Sequence, residues 1–439
     1  MSAAIAAGDA SRTVEGVSEP TIERVGGATS ITVAILPKGT DPEDLDGIPG
    51  LAPGTMSAGL STVTAAQTFL DIGAGNRVFT SLYPIELPLI TRFAKRVPGW
   101  PLVVWRAEEA PAEIVPGLLG TSVREAGIPI RADSLLTTPA VMAADEQGRV
   151  GRTRPFECLD RRCPGVAVVP AGLSALPELT RRLRGEDLLI AIERPPPGER
   201  EVLALGIAGR GYQGNLSSDT TRTPGLALST DIAPTILKRL GLGVPEEMAG
   251  NPIRSEGERD AAAVNERAER MEVVSKRRAP VVLRNLFIWL ALAGLAAALT
   301  RGRVARTALA LFGLSAAYLP LMLLAGAALR PEEMLVERLM VGIGAPVLAV
   351  LTRALVRGWA ALALGCAVTL AACVIDILAG SPLTAQSLLG PNPGLGVRFF
   401  GIGNELESTF AVVVPVGVGA GLAALAARGR EPSVRASAA

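Results

Sequence analysis

Histidine is absent from the whole 439-residue chain, and this absence narrows the chemistry that the protein can perform. An imidazole is the base of the Ser-His-Asp triad, the activator of the thiol in a Cys-His pair and a ligand of many zinc ions. None of these mechanisms in its usual form is open to this sequence. Aromatic residues are also scarce, at 4% of the chain, so the 49% hydrophobic content is mostly aliphatic.

An excess of charge of one sign is also missing. The 43 Lys and Arg residues almost balance the 42 Asp and Glu residues, which leaves a formal net charge of +1. Nucleic-acid-binding proteins present a basic face or stripe to the phosphate backbone. We therefore expect no nucleic acid among the partners of this protein.

The chain has only four cysteines. Cys158 and Cys163 lie close together in a polar segment, whereas Cys366 and Cys373 lie in an apolar stretch. Without histidine, the first pair supplies too few ligands for a zinc site. Two interpretations stay open for this pair: a disulfide in an exported domain, or two free thiols in a reducing compartment.

Long hydrophobic runs are confined to the last third of the chain. Five of them suit the length of a bilayer core of roughly 30 Å: residues 283–300, 304–325, 339–355, 359–378 and 410–427. The runs have almost no polar face, which argues against buried helices of one large soluble protein. The sequence thus predicts a multi-pass protein of the cell membrane, with the lipid bilayer as its partner.

The rest of the sequence divides into segments of distinct composition. We expect a polar N-terminal segment (1–27), an α/β domain (28–255), a charged and solvated linker helix (256–280), a transmembrane bundle of about five helices (281–430) and a polar tail (431–439). In the second segment, predicted strands at 30–36, 101–105, 136–143, 165–170, 187–192 and 202–208 alternate with predicted helices at 117–126, 176–183 and 233–240. This alternation predicts a layered α/β domain with a mostly parallel sheet.

The orientation of the bundle follows from the arginines in its connecting loops. Counted over alternating loops, the side that carries Arg301, Arg303, Arg353 and Arg357 is the more basic by a narrow margin. The positive-inside rule places that side in the cytoplasm. The N-terminal domain is then expected outside the cytoplasm.

Residues 227–253 (ALSTDIAPTILKRLGLGVPEEMAGNPI) form the most informative stretch of the domain. Ser229 or Thr230 can cap a helix, Asp231 would lie at its positive end, and Gly241 would end it. A well-capped helix followed by a loop explains these residues without any function.

The same stretch resembles a hallmark of the alkaline phosphatase superfamily, a D-x-x-P-T-x-L helix followed by L-G, P and M-x-G. The matching residues are Asp231, Pro234, Thr235, Leu237, Leu240, Gly241, Pro245, Met248 and Gly250. The order of earlier elements is also similar, so that the resemblance covers roughly residues 30–255. It implies an alkaline-phosphatase-like fold, here fused to a membrane bundle as in a family of bacterial cell-envelope proteins.

The resemblance also implies which residues should hold the metal ions of such an enzyme. The superfamily transfers phosphoryl or sulfuryl groups with a Thr, Ser or Cys nucleophile and commonly two metals. These are held by an Asp after the first strand and by an S-D-H-G segment after a later one. Here residues 37–40 read P-K-G-T and residues 193–195 read E-R-P. We therefore predict a degenerate, non-catalytic binding or scaffolding domain without a cofactor.

An active hydrolase or phosphotransferase for an envelope or lipid-linked substrate is the alternative. Asp41, Asp44 and Asp46 would then form an all-oxygen site for magnesium, manganese or calcium. Thr62 or Thr64 would serve as the nucleophile. A solvated acidic loop and a capped turn explain the same residues without catalysis.

Several cations and polar groups are candidate contacts for an anionic envelope or lipid-linked ligand. Arg77 ends a G-A-G-N-R strip and Arg222 ends S-S-D-T-T-R; each is either an anion contact or part of a well-bonded turn. Residues 381–409 are too apolar for a loop and too rich in Gly and Pro for a helix, so Arg398, Asn404 and Glu405 can face a polar ligand. A transport or lipid-handling role of the bundle is the third hypothesis.

Asp376 is the other costly group of the apolar region, because it lies inside the fourth run. Ionisable residues within a membrane are usually functional. Its position near the end of the run is equally consistent with solvation at the interface.

Overall fold

The structure is a computed structural model that describes residues 29–60, 63–195, 202–391, 393, 398–399 and 402–429. It contains an α/β region with a mostly parallel eight-stranded sheet, followed by a helical region with five apolar helices. Thr62 lies outside the described residues.

The α/β region has ten strands in the part of the chain that is described: β1 (Ser30–Leu36), β2 (Leu51–Ser57), β3 (Ile130–Asp133), β4 (Gly151–Thr153), β5 (Gly165–Pro170), β6 (Leu188–Glu193), β7 (Val202–Gly209), β8 (Asn215–Ser217), β9 (Leu226–Leu228) and β10 (Arg254–Glu256). Eight of them form one sheet in the order β4-β3-β5-β1-β6-β7-β2-β9, and β8 pairs with β10. Only β7 runs antiparallel to its neighbours in the large sheet. The predicted mostly parallel sheet is therefore confirmed.

The same region contains six described helices: α1 (Ala65–Ala74), α2 (Trp100–Glu108), α3 (Leu118–Glu125), α4 (Glu157–Asp160), α5 (Leu176–Arg182) and α6 (Ile232–Arg239). Successive side chains of a strand point to opposite faces of a sheet. In β1, Ile31 and Val33 join the apolar core that includes α1, α3 and α6, whereas Ala34 and Leu36 join the core beneath α5. The sheet is thus buried on both faces, as apolar runs of parallel strands require.

Residues 101–105 were predicted as a strand, and that prediction is wrong. They belong to α2, in which Pro101 occupies the first turn and Trp100, Val103 and Ala107 are buried. Proline is favoured in the first turn of a helix because its missing N–H is not needed there. A short apolar run does not distinguish a strand from a buried helix by itself.

The predicted strand at 136–143 is also wrong, since residues Pro139–Ala143 form a 3-10 turn. This turn packs closely against α1. A Cβ placed on Gly73 of α1 would lie 3.1 Å from the carbonyl oxygen of Met142. The small residues at this contact explain why the chain turns there instead of extending the sheet.

The predicted linker helix and the first predicted membrane span form one continuous helix, α7 (Ala261–Leu299). The expectation that its charged part is solvated is wrong for one face. Val264, Ala268, Met271 and Val274 recur at helical spacing and are all buried. α7 packs against β2, β7 and the 3-10 turn Pro42–Leu45 before it enters the bundle.

The bundle continues with α8 (Arg303–Leu329), α9 (Met334–Leu355), α10 (Trp359–Leu378) and α11 (Asn404–Gly429). Five helices are long and apolar enough to cross a bilayer, namely these four and the Lys276–Leu299 part of α7. Their number, length and composition are compatible with the predicted multi-span membrane protein. Short connections make neighbouring helices antiparallel. The starts of α9 and α11 and the ends of α8 and α10 therefore lie at the end of the bundle nearest the α/β region, which we call the domain end.

Candidate functional site

The carboxyl ends of β1 and β6 meet at the sheet edge where open α/β proteins bind their ligands. Glu193, the last residue of β6, is fully buried at this edge. Its carboxylate accepts hydrogen bonds from the backbone N–H of Gly39 in the loop after β1, at 3.0 Å, and of Ala204 in β7, at 3.1 Å. The carboxylate of Glu193 is thus stabilised by the backbone of the protein itself.

Two carboxylates of the acidic loop after β1 also accept hydrogen bonds from groups of the protein. One oxygen of Asp44 accepts a hydrogen bond from the backbone N–H of Asp41, at 2.9 Å, and one oxygen of Asp46 accepts from the side-chain amide of Asn265 in α7, at 2.8 Å. Among the described residues, no group of three or more Asp, Glu or Cys side chains is arranged to hold a metal ion. The carboxylates present do not fit the pair of metals that the resemblance implies.

A cavity of about 260 Å³ separates this acidic loop from α7. No Lys or Arg is among its described lining residues. Four carboxylates line it: Asp41, Glu43, Glu269 and Glu272. A cleft lined by one sign of charge repels ligands of the same sign.

Thr64 is the described member of the predicted nucleophile pair. It caps α1, where its side-chain oxygen accepts a hydrogen bond from the backbone N–H of Gln67 at 3.2 Å. This is the role that favours Thr, Ser, Asp and Asn at the start of a helix. The structure therefore gives Thr64 a local structural contact.

Arg77 lies inside the α/β region. Its guanidinium donates to the carbonyl oxygen of Ser57 at 3.3 Å and to the hydroxyl of Ser229 at 3.1 Å, so it connects the end of β2 to the turn before α6. Burial lowers the pKa of Arg77, and the nearby carboxylates of Asp71 and Asp231 oppose this change. Asp71 is itself buried, and burial raises its pKa to about 7, although Gln67 donates to it at 2.7 Å.

Asp231, the first residue of the hallmark motif, is the centre of a satisfied hydrogen-bond network. The hydroxyls of Ser218 and Thr220 donate to it at 2.8 and 2.7 Å, and the backbone N–H groups of Leu228 and Asn251 donate at 2.9 Å each. Burial raises the pKa of Asp231, and the hydrogen bonds oppose that rise. This part of the motif therefore fixes the fold around α6, and the S-S-D-T-T-R segment supplies two of the donors.

Arg222 follows that network at the surface facing the bundle, with its backbone in the left-handed region (φ 49°). It lines a second cavity, of about 220 Å³, at the junction of the α/β region, α7 and the segment that follows α10. Arg267 and Arg270 of α7 line the same junction cavity, and no Asp or Glu is among its described lining residues. Arg267 also donates to the carbonyl oxygen of Pro224, and burial lowers the pKa of its guanidinium.

The wall of the junction cavity is connected to the bundle through a buried charge cluster. Glu337 in the first turn of α9 is 1% exposed and pairs with Arg270 at 3.1 Å and with Arg277 at 2.9 Å. Arg270 also donates to the carbonyl oxygen of Gln386, at 3.0 Å. One carboxylate thus serves two guanidiniums, so this cluster carries an excess positive charge beside the cavity.

The predicted polar residues of the 381–409 segment lie at the domain end of the bundle. Arg398 donates to the carbonyl oxygen of Ile402, Asn404 begins α11, and Glu405 pairs with Arg278 at 2.5 Å. None of these three lines the junction cavity, but their neighbour Phe399 does. The hydroxyl of Thr223 donates to the carbonyl oxygen of Phe399 at 3.1 Å, which joins the segment to the α/β region.

No family model, curated protein or solved structure matches this chain. The residues themselves therefore carry the functional argument.

Arg267, Arg270 and Glu337 were not among the candidates predicted from the sequence. The two arginines belong to a charged stretch that is typical of a solvated helix. Glu337 lies two residues before the third predicted apolar run. One sequence feature could have indicated Glu337: a carboxylate at the start of a membrane helix needs a partner for its charge.

Asp376 has a structural explanation. Its two carboxylate oxygens accept hydrogen bonds from the backbone N–H groups of Leu383 and Thr384, at 3.0 and 2.7 Å. Asp376 therefore fixes the turn that leads out of α10.

The two cysteines of the α/β region, Cys158 and Cys163, form a disulfide in the structure. Cys366 and Cys373 in α10 are buried free thiols.

Proposed function

We propose that this protein is a bacterial cell-envelope membrane protein whose α/β region is a degenerate, non-catalytic relative of the alkaline phosphatases. The region serves as a binding or scaffolding module held against the bundle. The observation that carries this proposal is the contact set of Glu193. The carboxylate at the end of β6 is already bound by two backbone N–H groups of the domain, where an active enzyme would use carboxylates to hold its metals.

The position of α7 supports the same conclusion. Here α7 covers the edge with Glu269 and Glu272, and Asn265 of the same helix bonds to Asp46. The membrane helix thus contributes to closing the edge at which catalysis would take place.

We further propose that the α/β region lies outside the cytoplasm. The distribution of arginines among the loops of the bundle supports this orientation. The disulfide between Cys158 and Cys163 also supports it, because disulfides persist in oxidising compartments.

Hydrolysis assays on the full chain in a neutral detergent test the proposal. Phosphomonoesters and phosphodiesters are supplied with zinc, manganese, magnesium and calcium in turn, and a Thr62→Ala/Thr64→Ala variant serves as the control. We expect no turnover above the control with any metal. Metal-dependent turnover that the double variant loses would establish a hydrolase instead and would make Asp41, Asp44 and Asp46 the presumed metal site.

A further inference from the structure

The junction cavity combines positive charge, limited size and a position close to the bilayer surface. Arg222, Arg267 and Arg270 converge on it from two parts of the chain, whereas its described lining contains no carboxylate. Guanidinium groups form strong charge-assisted hydrogen bonds with phosphate. A cavity with this lining selects an anion over a cation or a neutral group.

The neighbouring cluster of Glu337, Arg270 and Arg277 also favours the binding of an anion. Glu337 neutralises only one of its two arginine partners, and all three groups are largely buried. Buried charge that lacks a counterion is costly. A bound anion beside Arg270 would supply the missing negative charge.

The height of the cavity relative to the bilayer indicates where such an anion can come from. Arg270 lies six residues before Lys276, the first residue of the apolar span, which corresponds to about 9 Å along a helix. The polar headgroup layer is itself roughly 5–8 Å thick on each side of the hydrocarbon core. By this measure Arg270 lies just outside the headgroup layer, whereas Gly380 and Ser381 of the opposite wall follow closely on the last residue of α10, Leu378. Met271, Val274 and Phe399 add an apolar wall to the cavity.

We propose that the junction cavity binds a phosphate group, with Arg222, Arg267 and Arg270 as its cationic contacts. A lipid headgroup and a soluble phosphate compound share this chemistry, and the experiment below distinguishes the two sources. The inference deepens the binding role proposed above, on which it rests. The proposed function and this inference can be contradicted separately, because hydrolysis at the acidic edge and binding at the junction are measured with different readouts.

Calorimetric titration of the full chain with inorganic pyrophosphate tests this site. The protein is measured in neutral detergent, in nanodiscs of phosphatidylcholine and in nanodiscs that also contain phosphatidylglycerol. Arg267→Gln removes one cation, and Ala385→Leu fills the cavity without changing any charge, since Ala385 is part of its lining. Lys276→Gln is the matched control, because it removes a cation from the same helix outside the cavity.

We expect pyrophosphate to bind in detergent. Arg267→Gln should bind it about tenfold more weakly, as the loss of one charge-assisted hydrogen bond implies. Ala385→Leu should also bind it more weakly, because the larger side chain occupies part of the cavity. The Lys276→Gln control should bind like the unaltered protein. Phosphatidylglycerol that blocks pyrophosphate identifies a lipid headgroup as the ligand, whereas pyrophosphate binding that is equal in both nanodiscs identifies a soluble phosphate compound. Absence of binding, or binding that both Arg267→Gln and Ala385→Leu leave unchanged, would overturn the proposal.

Discussion

Two cavities lie beside α7 and differ in charge. The cavity at the sheet edge is lined by Asp41, Glu43, Glu269 and Glu272, whereas the junction cavity is lined by three arginines. Both use side chains from the same short stretch of α7. The described lining of the first cavity is therefore acidic and that of the junction cavity is basic, although no sequence motif marked the junction.

The two cavities also differ in how their charges are paired. At the sheet edge, Glu193 and Asp46 bond to groups of the protein itself. At the junction, positive charge exceeds negative charge because Glu337 faces two arginines. The binding proposal therefore rests on the excess positive charge at the junction and not on the motif at residues 227–253.

The largest expected effect comes from removing the carboxylate at the junction. Glu337→Gln leaves Arg270 and Arg277 buried without their counterion, and breaking a buried ion pair in this way costs about 3–5 kcal/mol of stability. Unfolding of the full chain in detergent, followed by denaturant titration, measures the loss. Added pyrophosphate should restore part of it, because a ligand that binds only the folded state stabilises that state.

The matched control for this change is Glu333→Gln, an exposed carboxylate just before α9. It should leave stability nearly unchanged, as most surface substitutions do. Equal effects of the two substitutions would contradict the assignment of an essential buried charge at Glu337.

The second prediction concerns pH and the interior of the α/β region. Burial raises the pKa of Asp71 from its ordinary 3.8 to about 7. As pH rises through this window, the unfolded chain releases the proton first, so stability decreases, by up to about 4 kcal/mol between pH 4 and 7. Asp71→Asn cannot ionise and should lose this part of the pH dependence.

Unfolding curves at several pH values compare the two proteins. The variant should gain stability relative to the unaltered chain as pH rises from 4 to 7, and the difference should be constant above that range. A difference that does not vary with pH would show that Asp71 has the same proton affinity in both states.

A smaller effect is expected at the closed edge. Glu193→Ala leaves the buried backbone N–H of Ala204 without its acceptor, which should cost about 2 kcal/mol, whereas Gly39 is exposed and its N–H can bond to water instead. Glu193→Gln keeps one carbonyl oxygen as an acceptor and should cost less. Denaturant unfolding gives both values, and wild-type stability of the alanine variant would show that the edge is not closed by this carboxylate.

Much of the fold could be predicted because local patterns dominate there. The strand at 30–36, the strands at 165–170 and 202–208 and the apolar runs of the bundle all follow from periodicity and length. The prediction at 101–105 was wrong, because a proline in the first turn of a helix looks the same as a proline before a strand. At 136–143, contacts with Gly73 that are distant in sequence decided the outcome.

The candidate site could be predicted only in part. Arg222 was recognised beside a hydroxyl-rich turn, but Arg267 and Arg270 looked like members of a solvated helix. Their role depends on how α7 packs against the segment after α10, more than 100 residues away, as the bond from Arg270 to Gln386 shows. A contact of this kind leaves no local pattern in a single sequence.

The most direct test measures pyrophosphate binding and orthophosphate release in the same samples of the full chain, with magnesium, manganese, calcium or zinc present. The account predicts binding that Arg267→Gln weakens about tenfold, and no release of orthophosphate with any metal. Metal-dependent release that persists in Arg267→Gln would contradict it, because catalysis would then take place at the sheet edge and not at the junction.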